Sequence, residues 1–361
     1  HSILCMVRLL RLIMNLINKI LQYRSISIVG LEKNTGKTET LNFIIRRVKD
    51  CGKTIAVTSI GIDGETVDAV TRTSKPEIRI YRGMIFNTAE QYFLKKRFSA
   101  EILDISDEYT ILGRLVTAKA LGNGRMLLSG AADTHTLKKT IENNRRFGTD
   151  ITIVDGALSR LSLASPAITE SMILATGAAY SSNIETLVRK TKFVCSLINL
   201  PIYDTENIRY SHNNLPLNTD NEKKGVYCLI DNELRDLGGS SALTISSISK
   251  ESLEKIVTHR NIFVFGILSN KLIDFLIENN IAKGMSIVVK DFSTIFVSDD
   301  KYHLFARLGG RVEVLQKTNL IALTVNPTSP DGTVLNSDTL QKRLADEIGV
   351  EVIDVKKVEA Q

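Results

Sequence analysis

Cysteine is scarce in this chain: the 361 residues contain four (Cys5, Cys51, Cys195 and Cys228), far apart and with no C-x-x-C spacing. That scatter excludes a zinc ribbon, an iron–sulfur motif and a disulfide framework, and it makes a reducing cytoplasm the simplest home. Cys195 and Cys228 lie in apolar runs and read as buried thiols. The five histidines (His1, His135, His212, His259 and His303) never cluster with cysteine, which argues against metal chemistry built on them. Also missing are a G-x-S-x-G nucleophile elbow, a histidine–cysteine nucleophile pair and a dinucleotide fingerprint with its glycine spacing. Arg11 and Asn15 interrupt the most apolar stretch, so a membrane span of about 20 apolar residues is not expected. Charge of one sign is only mildly in excess, 46 basic residues against 40 acidic for a net +6. The surplus is spread along the chain without an Arg-rich tail or an aromatic-interleaved basic stripe, so nucleic acid is not the expected partner.

What is present is the composition of a globular protein, 43% apolar and 24% charged, in a chain long enough for two domains. Its organising stretch is IVGLEKNTGKTET, Ile28 to Thr40. A short β-prone run, Ser25 to Val29, ends at Gly30. From Thr38 to Val48 the apolar residues Leu41, Ile44, Ile45 and Val48 follow helical spacing. Between them lies G-x-x-x-x-x-G-K-T, one residue longer than the usual phosphate-binding loop. The physical requirements survive that insertion. Gly36 lets the backbone curl so that successive amides converge on an anion, and the helix start adds its own unpaired N–H groups. Lys37 would set a cation against the outer phosphates and Thr38 Oγ1 would ligate Mg²⁺. Gly30, Glu32, Lys33, Asn34, Thr35 and Glu39 complete the expected nucleotide-binding set. Glu39 suits the first helical turn and points away from the phosphates.

A second strand is expected over Lys53 to Ser59, leading into GIDGETVDAV. Asp63 there reads either as a water-mediated Mg²⁺ contact that orients an attacking water, or as a plain turn residue. Lys75 is a candidate phosphate contact and Arg160 a candidate anion contact. DITIVDG, Asp150 to Gly156, is a β-prone run ending in Asp155, the position from which an acidic residue would hold the Mg²⁺ hydration shell. The expected catalytic set is therefore Lys37, Asp63 and Asp155, with Thr38 and Asp155 on the metal.

Elsewhere the pattern predicts a helix from Thr88 with a threonine N-cap, a strand over Met126 to Ser129, and a helix capped by Asp133 or Thr134. It further predicts an apolar helix between Pro166 and Ala178, then a helix capped by Ser182 or Asn183 that leads into a strand over Phe193 to Leu200. In the second half it predicts strands at Val226 to Ile230, Asn261 to Ile267, Ser286 to Val289 and Asn319 to Val325. Phe292 to Val297 and Tyr302 to Arg307 read as β structure around SDDK. The loop NPTSPDG reads as a contact surface without catalytic content. These give a four-part layout: an amphipathic helix over 1–24, a nucleotide-binding domain over 25–202, a polar linker or excursion over 203–224, and a second, smaller α/β domain over 225–361. For 1–24, three origins stay open: a helix packed on its own domain or on a twin subunit of a homodimer, a mis-assigned start, or an interfacial membrane helix.

The long G-x5-G-K-T loop resembles that of dethiobiotin synthetase, of the amidotransferase-linked synthetases of cobalamin side-chain assembly, and of the wider P-loop class containing the nitrogenase iron protein. More narrowly, GLEKNTGKTET, SIGIDGE (Ser59 to Glu65), TRTSKP (Thr71 to Pro76) and SLASPAITESMILATGAA (Ser162 to Ala179) resemble the P-loop reactivation subunit of lysine 5,6-aminomutase. The resemblance implies an α/β P-loop NTPase fold with a mostly parallel sheet, and ATP with Mg²⁺ as ligands. It also implies, as partners, a second MutS-like ATPase and the adenosylcobalamin- and pyridoxal-phosphate-dependent aminomutase, which the pair would restore after cobalamin damage. A ligase or kinase that activates a small-molecule carboxylate, and a nucleotide-binding scaffold, are the rival expectations. No N-K-x-D guanine motif follows Asp155 in the expected span, which favours ATP over GTP.

Overall fold

The computed structural model describes residues 2–60, 77–131, 133–157, 165, 168–205, 224–237 and 250–360. The first half runs α1 (Ser2–Ile20), β1 (Ser25–Gly30), α2 (Lys37–Lys49), β2 (Ile55–Ser59), β3 (Ile78–Ile80), β4 (Ile85–Ala89) and α3 (Glu90–Lys95). It continues through β5 (Ala100–Thr110), β6 (Gly113–Ala120), β7 (Gly124–Met126), α4 (Thr134–Arg146), β8 (Ile151–Ala157), β9 (Ser171–Gly177) and α5 (Ile184–Ile198). Next come β10 (Gly225–Ile230), β11 (Glu233–Asp236), α6 (Lys250–His259), β12 (Asn261–Phe265), β13 (Leu268–Ser269) and α7 (Asn270–Glu278). β14 (Ser286–Val289), β15 (Ile295–Phe296), α8 (Asp299–Arg307) and β16 (Arg311–Val314) follow, and β17 (Asn319–Asn326), α9 (Ser337–Ile348), β18 (Val352–Ile353) and α10 (Val355–Glu359) close the described chain.

The protein is a mixed α/β molecule whose main sheet has nine strands in the order β18-β17-β9-β1-β8-β2-β4-β6-β5. The seven strands from β18 to β4 pair in parallel, and the β5–β6 hairpin is added antiparallel at the β4 edge. Strand alternation gives the sheet two apolar faces. Ile26 and Ile28 of β1 and Ile151 and Ile153 of β8 share a core with α1, α2 and α10, including Leu16, Ile20, Phe43, Ile44 and Val358. Val154 faces the other way, onto Leu137 and Ile141 of α4. Each such buried aliphatic side chain contributes about 1.5–3 kcal/mol. No helix of the described residues is long and apolar enough to cross a membrane.

The chain divides differently from the expected 225–361 domain. His1–Lys192 and Asn319–Gln361 form one compact unit, and Phe193–Thr318 another. The C-terminal segment belongs to the first unit because β17 pairs in parallel with β9, from Asn319↔Ser171 to Asn326↔Gly177. The second unit has its own five-stranded sheet, β11-β10-β12-β14-β16, parallel across β12, β14 and β16. Most of the expected 203–224 linker lies outside the described residues.

Several local expectations are corrected. The helix expected between Pro166 and Ala178 is β9, whose seven residues are all buried between β1 and β17. A strand covered on both faces loses the polar alternation that would mark it. Phe193 to Leu200, expected as a strand, forms the last turns of α5 and the residues just after it. Asn183 Oδ1 accepts from the Thr186 amide at the start of α5, and Thr176 and Thr191 join it to β9 by a hydroxyl pair at 3.0 Å. Thr88 lies in β4, leaving α3 only six residues with Ala89 before it. The strand expected at Met126 to Ser129 is displaced to Gly124–Met126, and Tyr302 to Arg307 is helical in α8. Asp133 does cap α4, accepting from the Thr136 amide.

Two buried features carry stability predictions. Asn87 on β4 and Asn144 on α4, both fully buried, exchange reciprocal amide bonds at 3.0 and 2.9 Å, and Asn87 also donates to Thr117 Oγ1. Asn144→Ala leaves the buried Asn87 Oδ1 without its donor, while Asn87 Nδ2 keeps Thr117 Oγ1, and should lower the urea-unfolding free energy by about 2 kcal/mol; adding Asn87→Ala should cost less than the two single losses summed. Burial pushes the Cys195 thiol up to about 12 and that of Cys228 up to about 11, whereas Cys51 is exposed. In a Cys5→Ser background at pH 8, a thiol reagent should titrate Cys51 alone until denaturant exposes the other two.

Candidate functional site

Five parallel strands end along one edge of the main sheet: β1 at Gly30, β2 at Ser59, β8 at Ala157, β9 at Gly177 and β17 at Asn326. In an open parallel sheet this carboxyl edge is where ligands bind. The turn leaving β1 is tightly made. Leu31 N donates to the Ala175 carbonyl of β9, and Thr35 Oγ1 donates back to the Glu32 carbonyl at 2.9 Å. Lys33 N donates to Glu32 Oε1. A Cβ on Gly30 would stand 2.7 Å from Thr35 Oγ1 and 3.2 Å from the Glu32 carbonyl, so the turn closes only on glycine. Asn34 (φ 62°) and Gly36 (φ 87°) both take the left-handed conformation that reverses the backbone. Gly36 stands just before α2 and, among the described residues, no side chain caps that helix, so its first amides have no intrahelical partner.

Lys37 opens α2, and its Nζ lies 3.1 Å from Asp155 Oδ1. The meeting follows from register: Asp155 sits in β8 opposite Ile28 of β1 and Ser59 of β2, one strand from the loop that carries Lys37. Both side chains are largely covered, at 26% and 18% exposure. Asp155 Oδ1 receives no aligned hydrogen bond among the described residues, so Lys37 supplies its charge but not its geometry. Thr38 follows in the first turn of α2, half-buried, and Glu32, Lys33, Asn34 and Glu39 are exposed around the rim. Asp63, Lys75 and Arg160 lie outside the described residues.

Two contributors escaped the sequence reading. Asn326, the last residue of β17, donates from Nδ2 to the Asn34 carbonyl at 2.9 Å and packs where a Gly36 Cβ would stand, 3.0 Å from its own Cβ. Its carbonyl accepts from Ala178 N and its Oδ1 from Thr328 N. Two residues earlier, Thr324 receives a buried hydroxyl bond from Thr40 of α2 at 2.8 Å. Tyr180, just past β9, is the other: burial first and the Glu32 carboxylate second raise its phenol above the ordinary value. The only sequence hint was the turn-rich NPTSPDG after a strand, and nothing in it pointed to a loop almost 300 residues away.

The arrangement offers a cation, uncapped helix amides and a hydroxyl to an anion, with a carboxylate alongside. Hydroxyl and carboxylate oxygens suit a hard divalent cation that also keeps water and phosphate oxygens, as Mg²⁺ does. Among the described residues no group of three or more histidine, cysteine, aspartate or glutamate side chains is placed to hold a metal unaided. No protein-family model, no curated protein and no solved structure matches this chain.

Proposed function

We propose that the Gly30–Thr38 turn binds the phosphates of a nucleoside triphosphate with Mg²⁺, and that the chain is an ATPase. The single observation that supports this most is the Lys37–Asp155 pair at the carboxyl edge of the sheet. Sequence spacing named both residues for one reaction, and the register of two neighbouring strands brings them to 3.1 Å. A surface ion pair formed for stability alone has no need of a left-handed glycine turn on one side and a strand terminus on the other.

In this reading Lys37 binds the outer phosphates, and the amides from Gly36 onward hold the anion in a fixed cradle that needs no reorganisation as charge moves. Thr38 Oγ1 and Asp155 would hold the cation, which would supply positive charge to the phosphate oxygens. Bound Mg-nucleotide would supply the transferable phosphoryl group. Asn326 keeps the turn in shape by its bond to the Asn34 carbonyl. The biological setting is proposed from the resemblance of the loop and of the segments at 59–65, 71–76 and 162–179 to the reactivation subunit of lysine 5,6-aminomutase. It would be an ATP-driven exchange that rescues an adenosylcobalamin enzyme together with a MutS-like ATPase.

The test is phosphate release from ATP and GTP, with and without an adenosylcobalamin-dependent lysine 5,6-aminomutase inactivated by damaged cobalamin. ATP turnover that the mutase stimulates is the expected result; equal basal rates with and without it would remove the client and leave the nucleotide site. Lys37→Ala should lower ATP affinity by about a hundredfold or more, the loss of a charge-assisted contact in a covered site. Asn326→Ala should weaken ATP binding by about tenfold through the loosened turn, read by calorimetry.

A further inference from the structure

Large apolar side chains left in solvent are not spread evenly over this molecule. Leu94, Ile102, Ile105, Tyr109, Ile111 and Leu121 all fall within positions 94–121. That stretch holds β5, the last strand of the nine-stranded sheet, hydrogen-bonded to β6 on one side and, among the described residues, to no strand on the other. β5 is 11 residues long. An edge of that length is a template for another chain. Register sorts its side chains. Ile102 stands opposite Ala118, Ile105 opposite Val116 and Tyr109 opposite Arg114, so the three share one face. Ala118 and Val116 belong to the core that includes Phe86 and Phe93, and the β5 row continues that apolar layer into solvent at 49%, 43% and 76% exposure. Glu101, opposite Lys119, and Asp104, opposite Thr117, take the other face.

Charge and shape select the occupant. The β5 sequence AEILDISDEYT carries four carboxylates and no basic residue. A second copy of β5 brings acid against acid, and it would have to align the register slips between Ile102 and Asp104 and between Ile105 and Tyr109 in both strands. A short extended segment with lysine or arginine on one face and aliphatic residues on the other meets neither obstacle. Its cations face Glu101 and Asp104, and its apolar side chains lie along Ile102 and Ile105. We propose that β5 is a docking edge for a basic, aliphatic-alternating segment of a partner protein, which adds to the main sheet as a tenth strand. Backbone hydrogen bonds supply the affinity and the two faces of β5 supply the specificity. The inference is independent of the nucleotide reading.

The experiment is calorimetry on the full chain with three short synthetic peptides: alternating valine and lysine, the same peptide with glutamate for lysine, and the valine–lysine peptide N-methylated at alternate backbone amides. Amide hydrogen exchange with and without peptide locates the contact. The valine–lysine peptide should bind one per chain and slow exchange across β5. The glutamate and N-methylated peptides should each bind about tenfold more weakly or worse, the first for charge and the second for lost backbone bonds. In Glu101→Lys/Asp104→Lys the order of the two charged peptides should reverse. Tyr109→Ser, at a side chain mostly in solvent, should weaken the valine–lysine peptide severalfold while far-UV circular dichroism stays the same. Equal binding of the N-methylated peptide, or slowed exchange away from β5, would mean charge attraction alone and overturn the docking edge. A concentration-dependent dimer in sedimentation that slows β5 exchange without peptide overturns it too, by making a second copy the occupant. So does failure of the valine–lysine peptide to bind a chain whose β5–β6 hairpin is formed by exchange.

Discussion

The parallel pairing of β1 with β8 on one side and β9 on the other carries the rest of this molecule. Through six register pairs from Ser25↔Thr152 to Gly30↔Ala157, it sets Asp155 beside Ile28 and ends both strands at one edge. Ile26 and Ile28 are fully buried against α2, which fixes the direction in which the helix leaves the turn. A slip of one residue would turn those isoleucines to the opposite face and swing Asp155 away from Lys37. Stability and site geometry are thus set by one constraint, since the hydrophobic alternation that holds β1 in register is also what aims the acidic residue.

Long-range closure is the second theme. The turn between β1 and α2 is braced from residues far along the chain: Ala175 accepts from Leu31, Asn326 holds Asn34, and Thr324 is bonded to Thr40. Glycine matters here for space as much as for conformation. A Cβ on Gly177 would come within 2.1 Å of the Asn326 carbonyl, so β9 and β17 can end side by side only with glycine at that point. The segment after Asn319, separated from the first unit in sequence by the whole of the second, is part of the structure that shapes the loop. Loss of that segment would open the turn even with Gly30 to Thr38 intact.

Charge balance within the site follows from the same placement. Lys37 neutralises a carboxylate that the sheet has drawn out of water, and the Glu32 carboxylate contributes to raising the Tyr180 phenol at the other flank. Cation and anion stand in one covered patch, where their mutual attraction exceeds that of a solvent-exposed pair.

The sequence by itself determined the strand–turn–helix around Gly30 to Thr38, the β8 strand that carries Asp155, and the capped start of α4. All three are encoded locally, by left-handed glycine, helical spacing and an N-cap carboxylate. It did not determine β9, because a strand buried on both faces carries no alternation, nor the end of α5, whose capped start it did mark but whose last turns share an apolar composition with strands. Nor could it show that β17 returns to the first sheet or that Asn326 braces the loop, since a pairing partner distant in the chain leaves no trace in local spacing. Tertiary structure alone decided those, through backbone hydrogen bonding at the sheet edge and the close fit of glycine against asparagine.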